Sequence, residues 1–429
     1  MPSPAKANRW LRLVEECLRR EVGPQATLPG LDTDLVETGI LDSMGWVSFL
    51  RALESAGPRS DLGSLLTDQP ATLASILLAL ESEEGGQRAN EGGSLRNKPS
   101  QLVSPAFVAA SHAVLGSRTI PSEDVDRAFG MPVGKLRRRA GIESLACAGE
   151  NENELTLGAK AAEAAFHSAG CGAQELDWII ATSETHRGFP SLAAQLHSQL
   201  LARENCGALD VGGACLGLLN GLAVAQALIG SGQARNVAVV TADVHSRLLS
   251  PGHVPGEFGG LFGDGATAFL LRNFLEGSRS SQYRLGEFFF GCAGQYAGAI
   301  RVADKLSGGL DVHFDGEALS RAAITRLEKV LTSVELRSGI PRSSVAGFAT
   351  HQPNPRLVSL LARQCGIPEH KLPSVTRVSG NLGSSTCGAA LHAVLKLVSA
   401  AATDKLQPIF LASLGPGLLF GGGWLISSE

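Results

Sequence analysis

The chain has 429 residues, 44% of them hydrophobic and 18% charged, which supplies large cores and excludes wholesale disorder. A net charge of -4 at pH 7 argues against a nucleic-acid binder, whose domain would carry a basic stripe. The 8 cysteines form no Cys-x-x-Cys pair and no Cys/His cluster at ligand spacing, so neither a disulfide framework nor a metal site is expected.

In chain order, the opening MPSPAKANRW lacks the apolar stretch of an export signal. Trp10, Leu13, Val14, Cys17 and Leu18 then recur at helical spacing. A second helix opens at Asp42-Ser43 with Val47, Leu50 and Leu53 on one side, and Leu73, Ile76, Leu77 and Leu80 mark a last short one. These predict a minimal all-α four-helix bundle over residues 1–82. Residues 83–101 hold one large apolar residue, Leu95, among Gly, Ser, Asn, Glu and Arg, and read as a flexible linker.

Residues 102–429 alternate helices and strands, in two halves of similar content, 102–285 and 286–429. In the first, helices are expected over 155–169, 191–201 and 216–229, with strands at 178–182, 208–210, 237–240 and 266–271. In the second, a helix over 319–337, a strand at 346–350, helices from about 356 and over 389–400, and strands near Ile409 and Trp424 are expected. Buried strands separated by helices predict an α/β architecture with a mostly parallel sheet. The segment 408–426 is nearly free of charge, but Gly415, Pro416, Gly417 and the run Gly421-Gly422-Gly423 favour two buried strands joined by a glycine-rich loop over a membrane span. A cytoplasmic protein with no membrane or nucleic-acid partner is expected.

Chemistry concentrates in a few motifs. Asp210-Val211-Gly212-Gly213-Ala214-Cys215 runs from a strand end into a long helix, where a thiol meets the positive end of the helix dipole. Cys17, Cys147, Cys171, Cys206, Cys292, Cys365 and Cys387 have no such framing and read as structural. His351-Gln352-Pro353-Asn354 follows the strand AGFAT at its carboxyl end, where α/β enzymes place their chemistry. Ser379-Gly380-Asn381-Leu382-Gly383 offers a carboxamide on a glycine-framed loop, and Phe262-Gly263-Asp264-Gly265-Ala266 opens a strand. The remaining histidines, His245 among them, read as surface or core residues. In the small domain, Asp42 is a good N-cap and Ser43 sits at a helix start, where a phosphodiester would meet free N–H groups.

The phrase GILDSMGWVSFL, with the length and helix pattern around it, resembles an acyl carrier protein. That resemblance implies 4′-phosphopantetheine on Ser43, attached by a phosphopantetheinyl transferase. The four motifs of the large domain resemble the ketoacyl-acyl-carrier-protein synthase III family of the thiolase superfamily. The implied fold is thiolase-like, with duplicated α-β-α-β-α layers in a homodimer. Cys215 would take an acyl group as a thioester. His351 and Asn381 would bind a malonyl-type thioester and stabilise the enolate formed on loss of carbon dioxide, which then attacks the acyl carbonyl. Both thioesters would arrive on a carrier protein or on coenzyme A. No metal takes part. Phe189, in Gly188-Phe189-Pro190, matches the residue that crosses the dimer interface to close the acyl pocket; a plain core phenylalanine is the alternative.

Two departures from the family stand out. Its coenzyme A clamp pairs a Trp with an Arg, but Lys135 stands at the first place and Gly256, beside Glu257, at the second, while Arg139 is retained. The loop Leu414-Gly415-Pro416-Gly417-Leu418 carries proline where the family has a glycine whose N–H serves the oxyanion hole, leaving Gly415 or Gly417 to supply that donor. The expected activity is a decarboxylative Claisen condensation in specialised fatty-acid or polyketide biosynthesis. The alternatives are acyl transfer from Cys215 to an oxygen or nitrogen acceptor, and a non-catalytic carrier-docking protein.

Overall fold

The structure, a computed structural model, describes residues 4–36, 38–41, 43–56, 71–81, 104–273, 283–305, 309–400 and 407–427. The chain divides into two compact units, Met1–Ser100 with Glu317–Thr325, and the remainder.

In the first unit, α1 (Pro4–Val22), α2 (Ser43–Ala56) and α3 (Leu73–Glu81) surround a core of Val14, Leu18, Leu35, Phe49, Leu53, Leu73 and Ile76. The Asp34 carboxylate accepts the Val36 N–H (2.9 Å) and the Ala71 N–H (3.0 Å), which ties the long loop to the approach of α3. Three helices of the expected four are described. Residues 57–70, most of the expected linker, Asp42 and the side chain of Ser43 lie outside the described residues.

The second unit is built on a ten-stranded sheet. Its strands are β1 (Phe107–Leu115), β2 (Trp178–Thr182), β3 (Gly207–Asp210), β4 (Asn236–Val244), β5 (Asp264–Arg272), β6 (Tyr283–Leu285), β7 (Phe289–Cys292), β8 (Gly347–Thr350), β9 (Ile409–Gly415) and β10 (Leu419–Ser427). Their order is β8-β9-β10-β6-β1-β5-β4-β2-β3, with β7 on β10. β6 pairs with β1 and with β10, so it joins strands from both halves of the sequence.

The expectation of a mostly parallel sheet is overturned. Among the described residues, parallel pairing is confined to β2 with β3 and β4, and β8 with β9. The pairs β1–β5, β4–β5, β9–β10, β6–β1, β6–β10 and β7–β10 are antiparallel. The connections dictate this. Parallel neighbours need a crossover of a dozen or more residues, and only Pro416–Leu418 separates β9 from β10. Gly421, Gly422 and Gly423 belong to β10 itself and not to the loop.

Successive side chains of a strand point to opposite faces, and here both faces are buried. Ile179, Ala181, Ala238 and Val240 pack with α5 (Glu154–Ser168) and α6 (Leu192–Gln199). Ile180, Val237 and Val239 face a layer that holds α7 (Gly217–Gly230) and α9 (Thr386–Ala400). Fully buried leucines of that layer, such as Leu218, Leu222 and Leu391, each contribute about 1.5–3 kcal/mol. Between β8 and α9 the chain makes α8 (Pro355–Gln364), capped by the Asn354 side chain on the Leu357 N–H. Two glycines let the central helices approach the sheet. A methyl group on Gly217 would lie 2.1 Å from Thr182 Oγ1, and one on Gly388 would lie 2.2 Å from Thr267 Oγ1.

Candidate active site

Cys215 does not open α7 directly. It occupies a one-turn 3₁₀ helix, Ala214–Leu216, just before it. The approach is contorted, with Gly213 at φ 130° and Ala214 at φ 49°, a left-handed conformation unusual for a residue with a Cβ. Two bonds hold the turn: Asn220 donates to the Gly212 carbonyl (2.9 Å) and Ser413 Oγ donates to the Cys215 carbonyl (2.7 Å). The thiol is buried, and burial, with the carboxylates of Glu184 and Asp243 adding to it, drives its pKa well above the usual 9.0. The resting group is therefore a thiol.

The turn of Cys215 packs against the 3₁₀ turn Gly383–Ser385 that follows Asn381. Asn381 is held by the backbone at the start of the FGDGA motif and the residue before it: its N–H donates to Leu261 O (2.9 Å) and its carbonyl accepts from Gly263 N (2.9 Å). Its Oδ1 accepts from the Gly383 N–H (3.0 Å) and the Thr386 hydroxyl (2.9 Å). With its oxygen engaged on both sides, the carboxamide presents its NH₂ as the outward group. His351 follows β8 and donates its backbone N–H to Ala412 O (3.1 Å). Gln352 steadies the loop through bonds to Pro373 O (2.6 Å) and from Val375 N (3.0 Å). Burial lowers the His351 pKa to about 4 against a smaller opposing pull from Glu184, so the imidazole is neutral and its Nδ1 has no hydrogen-bond partner.

The structure adds two residues that the sequence reading passed over. Glu184 lies two positions past β2, and its carboxylate faces both Cys215 and His351. His245, expected to be a surface or core residue, directly follows β4 and places Nε2 3.6 Å from Glu184 Oε2. Burial disfavours the imidazolium, but Glu184, Asp243 and Asp264 outweigh it and raise His245 to about 9. Burial likewise opposes ionisation of Glu184, and His245 then His351 outweigh it, leaving the carboxyl below its usual 4.5. Asp243, raised to about 6 by burial against the pull of His245, accepts from Ser384 N (2.9 Å) and Ser384 Oγ (2.6 Å). Position was the available signal: Glu184, His245 and His351 each lie within two residues of a strand's carboxyl end.

Of the other expected site residues, Gly415 lies at this centre while Arg139 and Phe189 lie on the surface. A methyl on Gly415 would lie 3.6 Å from the Cys215 N–H nitrogen, so Gly415 flanks that donor. Gly417, at φ 76°, adopts the left-handed turn between β9 and β10. Arg139 is exposed on the short helix Lys135–Ala140 and makes no hydrogen bond to Cys215, His351 or Asn381, so it stands apart from this centre. Lys135, at the first place of the family's clamp, pairs at 2.5 Å with Glu257, the neighbour of Gly256 at the second. Phe189 is 100% exposed, which rules out the core alternative. Among the described residues no cluster of His, Cys, Asp and Glu suits a metal ion, and no helix is long and apolar enough to cross a membrane.

A buried thiol just before a long helix, with a neutral imidazole and a carboxamide on loops of the same unit, is an arrangement that can carry out acyl transfer. Residues 209–294 match the family described as 3-oxoacyl-(acyl-carrier-protein) synthase III, and residues 336–425 match its C-terminal part. The β-ketoacyl-(acyl-carrier-protein) synthase III of Ruegeria pomeroyi is 30% identical over 325 residues, covering 75% of this chain and 98% of the relative. That of Neisseria meningitidis is 26% identical over 322 residues, covering 74% and 97%. A crystal structure of a 3-oxoacyl-(acyl-carrier-protein) synthase III, 25% identical, aligns with a TM-score of 0.65 over 75% of this chain and 99% of that one. The priming β-ketosynthase of a polyketide pathway, 23% identical, shares the fold with a TM-score of 0.67 over 75% and 96%. The chain belongs to the 3-oxoacyl-(acyl-carrier-protein) synthase III family, whose members are acyltransferase-class enzymes.

Proposed function

We propose that this is a condensing enzyme of fatty-acid or polyketide biosynthesis in which Cys215 carries the acyl group and His351 with Asn381 activates a malonyl-type thioester. The observation that carries this reading is the Asn381 amide, whose oxygen is engaged by Gly383 and Thr386 so that its N–H groups are free to meet an oxyanion. A neutral imidazole suits the same task, since enolate formation by loss of carbon dioxide needs donors and no added negative charge.

The acyl donor reaches Cys215 on a carrier protein. Lys135 and Gly256 at the two clamp places support this, because neither offers a flat aromatic or guanidinium face to stack on adenine, and Lys135 is engaged by Glu257 instead. Residues 1–82 act as a fused carrier with phosphopantetheine on Ser43. The helical packing of that unit and the start of α2 at Ser43 support the assignment. The chain works as a homodimer, for which the exposed Phe189 is the supporting feature.

A second reading, acyl transfer to a hydroxyl or amine, is favoured by Glu184, a carboxylate beside the acyl sulfur that would accept the acceptor's proton. Incubating the full-length phosphopantetheinylated protein with acyl- and malonyl-carrier thioesters separates the two. Carbon dioxide released in step with a chain-extended thioester supports condensation. Acyl loading without decarboxylation, followed by ester or amide formation, supports the second reading.

A further inference from the structure

Resting on Cys215 as the acylated nucleophile, we propose that Glu184 takes the Cys215 proton during acyl loading and returns it to the departing thiol, with His245 as its positioning residue. Three observations carry this. Glu184 Oε1 is buried and makes no well-formed hydrogen bond to a structural donor, an expensive state for a structural carboxylate, and the Cys215 thiol, which needs a base, is its hydrogen-bonding neighbour.

The carboxylate is also caged. His245 lies 3.6 Å from Oε2, and its Nδ1 donates to Gly263 O (3.1 Å), which fixes the ring with Nε2 toward Glu184. The Glu184 backbone N–H donates to Asp243 Oδ1 (2.5 Å). The cage has no room to relax at Gly383, where a methyl group would lie 2.5 Å from His245 Cε1. Finally, the charges acting on the thiol are those of Glu184 and Asp243, and burial keeps the proton on sulfur at neutral pH. The groups facing Glu184 are Asp243 and His245 from the end of β4, Cys215 from the turn before α7, and His351 after β8.

The step balances without any other reactant. The Sγ–H bond breaks as Sγ bonds to the donor carbonyl carbon, and the proton passes to Glu184. The tetrahedral intermediate collapses, its bond to the donor sulfur breaks, and that thiolate takes the proton from Glu184. Acyl-Cys215, the free donor thiol and an ionised Glu184 remain.

The test is a single-turnover loading assay on full-length Glu184→Gln, read as acylation of the Cys215 peptide by mass spectrometry. Alkylation of that same peptide by iodoacetamide is followed against pH. Loading is expected to fall about 10²- to 10⁴-fold, the range for a lost proton-transfer group. Alkylation at fixed pH is expected to rise, because removing a negative charge lowers the thiol pKa. Glu184→Asp should recover part of the loading rate. Loading and alkylation that rise together, or both stay unchanged, overturn the proposal, as does a joint fall in both, which marks a structural role. If wild-type Cys215 takes no acyl group while its thiol still alkylates, the underlying reading fails instead, and the two failures are distinguishable.

Discussion

Asn381 is useful because its neighbours have decided which way its amide points. Removing the donor with Asn381→Ala should slow decarboxylation about 10²- to 10³-fold, the range for one lost oxyanion donor, while acyl loading of Cys215 is retained. Carbon dioxide release and loading, measured separately, check this. His351 makes a second prediction at this scale. Burial holds its pKa near 4, so its ring ¹⁵N resonances should stay those of a neutral imidazole down to pH 5, and titration near 6.5 would contradict the account. The same depression means that the unfolded chain binds the extra proton first. The contribution of His351 to stability should therefore fall as pH drops from about 6.5 toward 4, which comparing wild type with His351→Ala across that range isolates. Cys215 and Asn381 could be picked out in the sequence by the glycines around them, and His351 by its place directly after an apolar strand. Glu184 and His245 were not, since a lone Glu or His beside polar neighbours looks like solvated surface until folding brings the ends of β2 and β4 together.

At the scale of elements, the placement of Cys215 depends on how closely α7 lies on β2. Gly217→Ala puts a methyl into Thr182 and should destabilise the large unit by about 1–3 kcal/mol, the usual cost of overpacking. Denaturant unfolding measures the loss, and loading of Cys215 should weaken with it because the nucleophile is two residues away. Most helices and strands of the large unit were legible from their apolar runs, within a few residues. β1 was not: Phe107–Leu115 mixes Ala, Ser and His and gives no clean period. Strand direction was also hidden, because a strand buried on both faces has the same hydrophobic run in either direction. Only its connections orient it, and the Pro416–Leu418 turn is too short for anything but an antiparallel return.

For the whole molecule, if residues 1–82 are the proposed carrier, a flexible chain as long as segment 83–101 would span about 25 Å r.m.s.. A tether of that kind would hold a carrier thioester near millimolar effective concentration. Excising residues 1–85 and adding them back in trans should slow turnover at micromolar carrier and restore it at millimolar; equal rates at both would remove the tether from the mechanism. The central claim is that Cys215 is the group that takes the acyl chain. Its most direct test is peptide-level mass spectrometry of the full-length protein after exposure to an acyl-carrier thioester. The account predicts an acyl adduct on the Cys215 peptide that disappears in Cys215→Ser with the fold intact. An unmodified Cys215, or turnover that survives its replacement, would contradict it.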